Sequence, residues 1–359
     1  MSISKKPNYI IRSMGLSDCD EVRELWKGAG FTIIKNVNEV FMKLDPEGLL
    51  VAQDQDTGKI IGYCGAVNVS EDFAVIGGYC VKPEYQGHGI GNNIWNSGMA
   101  HMGDRNIGLM AANMKMFEIY RDRHHFKCIR EPILYMRGQL ALDTDLIDHI
   151  KGVSLVAINE DNVRDVIEYD QQICGLDRSV MIEGFYKTAD NVSLVAINDR
   201  NQVLGYCFIM ETCVQSLQLV APLYADNCQI AELLGHKCCL LLPLSKRSDV
   251  IIKCWKSDHK AIQLAKKLGL SEGREQMGGY TKVIPQTNVG TNNIGWNNTV
   301  EDTVHGVKQV LTELTAKLPD TKVILTSILP APEPRGSKCK QVTELIQQFA
   351  DNKTVTLVS

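Results

Sequence analysis

Val81-Lys82-Pro83-Glu84-Tyr85-Gln86-Gly87-His88-Gly89-Ile90-Gly91-Asn92 separates two unlike segments. Before it, the apolar run Phe73 to Val81 reads as a strand; after it, Ile90, Ile94, Trp95 and Met99 recur at helical spacing. Glycines between a strand and a helix let successive backbone N–H groups turn toward one point, and the helix start adds roughly half a positive charge there. Such a loop suits a pyrophosphate. A dinucleotide fold would ask for Gly-x-Gly-x-x-Gly near the first strand of a βαβ unit, with an acid about 20 residues later. A P-loop would ask for Gly-Lys followed by Ser or Thr. Neither is present: the order is Gln86-x-x-Gly89-x-Gly91, preceded by Val-x-Pro and by earlier strands.

Outward from this loop, strands and helices alternate. Tyr9 to Met14 reads as a strand, and Ser17 and Asp18 as caps of a helix that buries Val22, Leu25, Trp26 and Ala29. Leu49–Gln53 and Lys59–Val67 form a hairpin around the turn residues 54–58. Ile107 to Ala112 makes a further strand and Met114 to His124 a further helix. A second copy follows at an offset of about 143 residues. Leu50-Val51-Ala52 … Gly62-Tyr63-Cys64 returns as Leu194-Val195-Ala196 … Gly205-Tyr206-Cys207. Where the glycine loop should recur, the copy reads Val220-Ala221-Pro222-Leu223-Tyr224-Ala225-Asp226-Asn227, which has no glycine and carries an acid that repels phosphate. Asp170 and Arg178 of this copy read equally as pocket residues or as an exposed ion pair.

Composition narrows the class. A length of 359 residues holds two or three domains at about 100–200 residues each. The net charge of −4 offers no basic excess for nucleic acid or an anionic membrane. No run approaches the ~20 apolar residues of a membrane span, and Met1 to Pro7 is too polar for a signal peptide. The 12 cysteines form no Cys-x-x-Cys pair, which reads as free thiols in a reducing, cytoplasmic setting. Adjacent His124 and His125 near Asp122 point in different directions on a helix, so they read as a surface cluster; no metal is expected.

The whole string from Val81 to Gly91 resembles the pyrophosphate loop of the GNAT N-acetyltransferase superfamily, and the β-α-α-β-β-β-α-β-α order is what that fold looks like. The resemblance implies an α+β GNAT fold with a mixed central sheet, duplicated: an active domain at 1–138 and a degenerate one at 139–284. It implies that Tyr79, Cys80 and Val81, on a strand splayed from its neighbour, meet the pantetheine arm and acyl carbonyl of acetyl-CoA. Gly77-Gly78 suits a bulge there. Gln86, Gly87, His88, Gly89, Ile90 and Gly91 would hold the pyrophosphate. Asn113-x-x-Met116-x-x-x-Tyr120 is similar to the family's fourth-helix pattern, making Asn113 a cofactor contact and Tyr120 the general acid; beyond it the chain is one residue longer and has His in place of Gly. No general base stands out, although Glu71 and Asp72 precede the key strand.

The segment 285–359 resembles part of an α/β SGNH hydrolase, of the type of the platelet-activating factor acetylhydrolase catalytic subunits. Gly290-Thr291-Asn292 matches the block whose Asn, here Asn292, feeds an oxyanion hole, and Pro334-Arg335-Gly336 matches the next loop. No Gly-Asp-Ser block precedes it, and Asp122…His125 and Asp302…His305 stand in the wrong places for the closing Asp-x-x-His. An oxyanion donor alone does not hydrolyse esters. The resemblance as a whole implies transfer of an acetyl group from acetyl-CoA to an amine. A small-molecule amine is favoured over a protein because no charged docking run is present. The alternatives are a non-catalytic acyl-CoA-binding protein or an SGNH-type esterase.

Overall fold

The computed structural model describes residues 7–142 and 145–283 and, beyond them, Val304, Val307, Lys308, Leu311, 323–326, Val342, Glu344 and 355–358. The first half runs β1 (Tyr9–Ser13), α1 (Cys19–Gly28), α2 (Val37–Leu44), β2 (Leu49–Asp54), β3 (Ile60–Asn68), β4 (Phe73–Val81), α3 (Ile90–Met102), β5 (Asn106–Met110), α4 (Met114–His124) and β6 (Cys128–Gly138). The second repeats that order: β7 (Val153–Ala157), α5 (Val163–Cys174), α6 (Ser179–Tyr186), β8 (Val192–Asn198), β9 (Val203–Glu211), β10 (Gln218–Ala225), α7 (Cys228–Leu241), β11 (Val250–Trp255), α8 (His259–Lys267) and β12 (Ser271–Tyr280).

The duplication is visible residue by residue. Val51 faces Tyr63 across β2 and β3, and Val195 faces Tyr206 across β8 and β9. Leu50–Cys64 and Ala52–Gly62 have the same counterparts in Leu194–Cys207 and Ala196–Gly205, and each ladder shifts register just after its alanine.

All twelve strands join one sheet, in the order β1-β2-β3-β4-β5-β12-β6-β11-β10-β9-β8-β7. The halves have exchanged strands: β12 lies between β5 and β6, and β6 lies against β11. Side chains alternate between two buried faces, as strands covered on both sides require. Leu49, Val51 and Tyr63 face a core shared with α1, α2, α5 and α6, to which Trp26, Val40, Val166 and Phe185 contribute. Leu50, Ala52 and Cys64 face the α3 and α4 side, with Ile94, Trp95 and Phe117. The α7 and α8 side is filled by Leu234, Ile262 and Leu268.

Three local expectations are corrected. α1 ends at Gly28, which leaves Ala29 exposed instead of buried. The chain enters α1 through a 3₁₀ turn at Leu16–Asp18, so Asp18 does not cap α1 with its side chain. Its carboxylate instead accepts the Gly15 N–H at 2.8 Å and a two-pronged pair from Arg12 at 2.7 and 2.9 Å. In the second half, residues 220–225 continue β10; only 226–227 connect that strand to α7, where the first half has 82–89.

Beyond residue 283 the described part holds a parallel strand pair, β13 (Val323–Thr326) and β14 (Val355–Val358). Asn292 and the Pro334–Gly336 loop lie outside the described residues. No helix among the described residues is long and apolar enough to cross a membrane, and their eleven cysteines are all free.

Candidate active site

β4 pairs with parallel β5 only from Phe73–Asn106 to Ile76–Leu109, and beyond Ile76 the two diverge. On its other side β4 stays with β3, with a register shift between Tyr63 and Gly65. The extra residue is accommodated at Gly78, whose φ is +63°. A side chain there would also press on the rings of Tyr63 and Trp26, at 2.9 and 3.0 Å from its first carbon. The Gly78 carbonyl accepts the Trp26 indole N–H at 3.2 Å. The bulge and the divergence leave Gly77–Val81 without a strand partner on the β5 side, which opens a slot through the sheet.

The slot meets the glycine loop. After a 3₁₀ turn at Pro83–Tyr85, Gln86 donates from Nε2 to the Val81 carbonyl at 2.9 Å, folding the loop back on the strand that launches it. Gly87 and Gly89 have φ of +81° and +83°, and Gly89 leads into α3 with no side-chain cap. The first N–H groups of α3 are therefore open to a ligand, at the positive end of a 13-residue helix. Gly91 lets the Tyr79 hydroxyl come close; a methyl group at this position would collide with it.

These parts line one cleft of about 1800 Å³. Tyr79, Cys80, Val81, Gln86, Gly87, Gly89, Ile90, Gly91, Asn113 and Tyr120 all border it. His88 sits between the two loop glycines but does not line the cleft. Glu71 and Asp72 stand at the opposite end of β4 and border no part of it. Asn113 also caps α4, its side-chain oxygen accepting the Met116 N–H at 3.0 Å.

Tyr120 stacks on Trp95, with ring centroids 5.1 Å apart and planes 12° from parallel. Burial, reinforced by Tyr79, pushes its hydroxyl well above the ordinary tyrosine range. The Trp95 indole N–H is buried without a hydrogen-bond partner. Burial alone pushes the Cys80 thiol up to about 12, so it stays protonated at neutral pH.

Residues 18–126 match the model of the acetyltransferase (GNAT) family, and residues 166–284 match that of a GNAT acetyltransferase domain. Together the two matches span more than half of the chain. The chain belongs to the GNAT family. It is 24% identical over 236 residues to holothin acyltransferase of a Pseudoalteromonas strain, covering 65% of this chain and 74% of that one. Among solved structures, a candidate acetyltransferase from Pyrococcus horikoshii superposes with a TM-score of 0.57 at 20% identity, over 77% of this chain and 94% of that one. A tandem GNAT protein from the clavulanic acid biosynthesis pathway, solved without acetyl-CoA, superposes with a TM-score of 0.54 at 14% identity, over 76% and 99%.

Within the GNAT frame, the His that replaces a glycine after Tyr120 does a glycine's work. His125 takes a left-handed φ of 62°, ends α4, and lets the buried Phe126 bond back to the Tyr120 carbonyl at 3.3 Å. His124 is half-buried, its ring 4.6 Å from that of Trp95, so it is not part of a surface cluster. Among the described residues no group of three or more His, Cys, Asp or Glu is placed to hold a metal ion. The Asp170–Arg178 pair is not exposed either: Asp170 is 1% accessible and takes Arg178 from two nitrogens and the Tyr206 hydroxyl as a third donor. Asp170 holds the place of Trp26, and Tyr206 that of Tyr63, so the second GNAT half fills with a buried polar network the corner that faces the slot in the first.

Sequence reasoning missed the far wall of the cleft. Ile133 and Tyr135 of β6, Lys253 of β11, and Arg274, Gln276 and Tyr280 of β12 line it. No local motif marks them, because strand exchange alone brings them to the first half.

Proposed function

We propose that the chain is an N-acyltransferase that moves an acetyl group from acetyl-CoA to the amine of a small molecule by direct attack, in the cleft of the first half. The observation that carries it is the parting of β4 from β5 at Ile76–Leu109 beside an uncapped, glycine-lined helix start. The loop amides and the α3 N-terminus take the pyrophosphate, and the pantetheine arm runs along Gly77–Val81 in place of the missing strand. Backbone N–H groups of this segment polarise the acyl carbonyl and receive the negative charge that develops on its oxygen.

Cys80 supports direct attack. Burial pushes its thiol up to about 12, which disfavours a thiolate that could take the acyl group first and leaves the amine to meet the thioester itself. As the tetrahedral intermediate collapses, Tyr120 gives its proton to the leaving CoA sulfur, and the proton that the attacking nitrogen loses restores the Tyr120 hydroxyl. The relative named as an acyltransferase supports the reaction class.

The test is release of free thiol from acetyl-CoA in the presence of a panel of amines, with calorimetry of CoA and acetyl-CoA run in parallel. Micromolar binding, lost in Gly89→Glu, together with amine-dependent thiol release is the expected result. Binding without turnover on any amine would leave an acyl-CoA-binding protein instead, and no binding at all would remove the cleft's assignment.

A further inference from the structure

Two cations stand at the far wall of the cleft without an acid to pair with. The Lys253 ammonium lies 4.9 Å and the Arg274 guanidinium 4.6 Å from the centroid of one ring, that of Tyr135. Tyr135 is 4% exposed, and its hydroxyl is anchored on the Gln276 side-chain oxygen at 2.5 Å, so the ring is a fixed platform. Arg274 further donates to Thr32, in the connection between α1 and α2, at 3.3 Å. No carboxylate among the described residues reaches ion-pair distance of either cation. Their neighbours are different: Lys256 pairs with Glu275 at 2.7 Å and Lys266 with Glu272 at 2.7 Å, which commits the acids of β12 elsewhere.

Of the acids that border the cleft, three lie on α1 and have their own partners, while Glu84, in the turn before the glycine loop, has no ion-pair partner among the described residues. Asp20 pairs with Arg23, Glu24 with Lys27, and Glu21 with Lys82. Lys59 and Glu84, one of each sign, stand without an ion pair on the β4 side of the slot; on its other side Lys253 and Arg274 are two positive charges with no acid between them, on strands that do not contribute to the glycine loop. The two cations reach the ring from the strands on either side of β6; the aromatic ring offsets only part of the cost of keeping both unpaired, and an anion offsets more. A planar carboxylate suits the forked guanidinium, with the ammonium as a second point charge.

We propose that the acceptor is an amine that also carries a carboxylate, an amino-acid-like molecule held by Arg274 and Lys253 so that its nitrogen faces the thioester at Gly77–Cys80. This rests on the acyltransferase reading for the role of the amine, but the anion site can be tested apart from turnover.

The experiment uses the full chain with acetyl-CoA and matched pairs: the common amino acids, their primary amides, and the amines left by removing the carboxylate. Free thiol release gives kcat/KM for each. In parallel, calorimetry with N-acetyl amino acids and their amides, in the presence of CoA, reads the carboxylate without catalysis. At least one amino acid should exceed both its amide and its decarboxylated amine by about tenfold or more, as a charge-assisted contact gives. Arg274→Ala and Lys253→Ala should each raise the KM for the amino acid several-fold more than the KM for its decarboxylated amine, which removes most of that preference. Equal use of all three forms, equal losses on all of them in the variants, or preference for a phosphate-bearing amine would overturn the proposal. If no amine turns over, carboxylate-dependent binding that Arg274→Ala abolishes still upholds the anion site, whereas its absence removes it.

Discussion

Tyr120 keeps its proton at neutral and mildly alkaline pH, because burial against Trp95 moves its ionisation well upward. In the proposed reaction it is therefore a donor, and its titration should put no alkaline limb on the pH–rate profile below about pH 10. Tyr120→Phe should lower kcat by about 10²- to 10³-fold, within the usual range for general acids, while calorimetry finds acetyl-CoA affinity unchanged. Gly91 gives a second residue-scale prediction. Gly91→Ala sets a methyl group against the Tyr79 hydroxyl, so the KM for acetyl-CoA should rise about tenfold or more. Adding Tyr79→Phe removes the obstructing oxygen and should recover most of that loss. Residues of this kind were legible because their chemistry is local in sequence: the loop glycines, Asn113 and Tyr120 follow one another along the first half. Tyr135, Lys253 and Arg274 were not, since no spacing rule links residues on three strands that meet only through the sheet.

At the scale of elements, the two halves differ most in one connection. The strand that ends at Val81 reaches its helix through residues 82–89; its counterpart reaches α7 through 226–227 alone, with Asn227 capping that helix at Ile230. Replacing 82–89 by Asp-Asn should leave far-UV circular dichroism and cooperative unfolding intact and abolish heat of binding with CoA. The β2–β3 hairpin, its copy in β8–β9 and the bulge at Gly77–Gly78 could all be read from strand-like runs, turn residues and glycine placement. The entry to α1 could not, because Asp18 had two competing uses and Arg12, six positions away, decided between them. Arg12 holds the Asp18 carboxyl below its usual range, helped by the Gly15 N–H and opposed by burial. A carboxyl with a lowered folded pKa stabilises the fold above its unfolded value near 4 and loses that contribution as the pH falls through the folded one. Asp18→Asn should thus cost up to about 1 kcal/mol at pH 7, discounted for the partial exposure of Arg12. Urea unfolding should find that difference shrinking below about pH 4.

At the scale of the molecule, the twelve-stranded sheet has no seam between its halves. β12 completes the first half by pairing with β5, and β6 completes the second by pairing with β11. A chain ending at residue 283 keeps both completions and should bind acetyl-CoA as the full chain does. A chain ending at residue 270 lacks β12, leaves β5 and β6 with open edges, and should aggregate rather than yield a less active monomer. Duplication itself was legible from the repeated hairpin. Exchange was not, because a strand's own residues prescribe which faces they bury and not which neighbour they join.

The exchange also imposes a timetable. At about 5–20 residues per second, a ribosome that has released β5 needs roughly 10–30 s more to deliver the strand that belongs beside it. During that interval the nascent first half has its glycine loop but not the far wall of the cleft. If the proposed reaction holds, it waits until the chain has been read through residue 280, and an interrupted product is inert rather than indiscriminate.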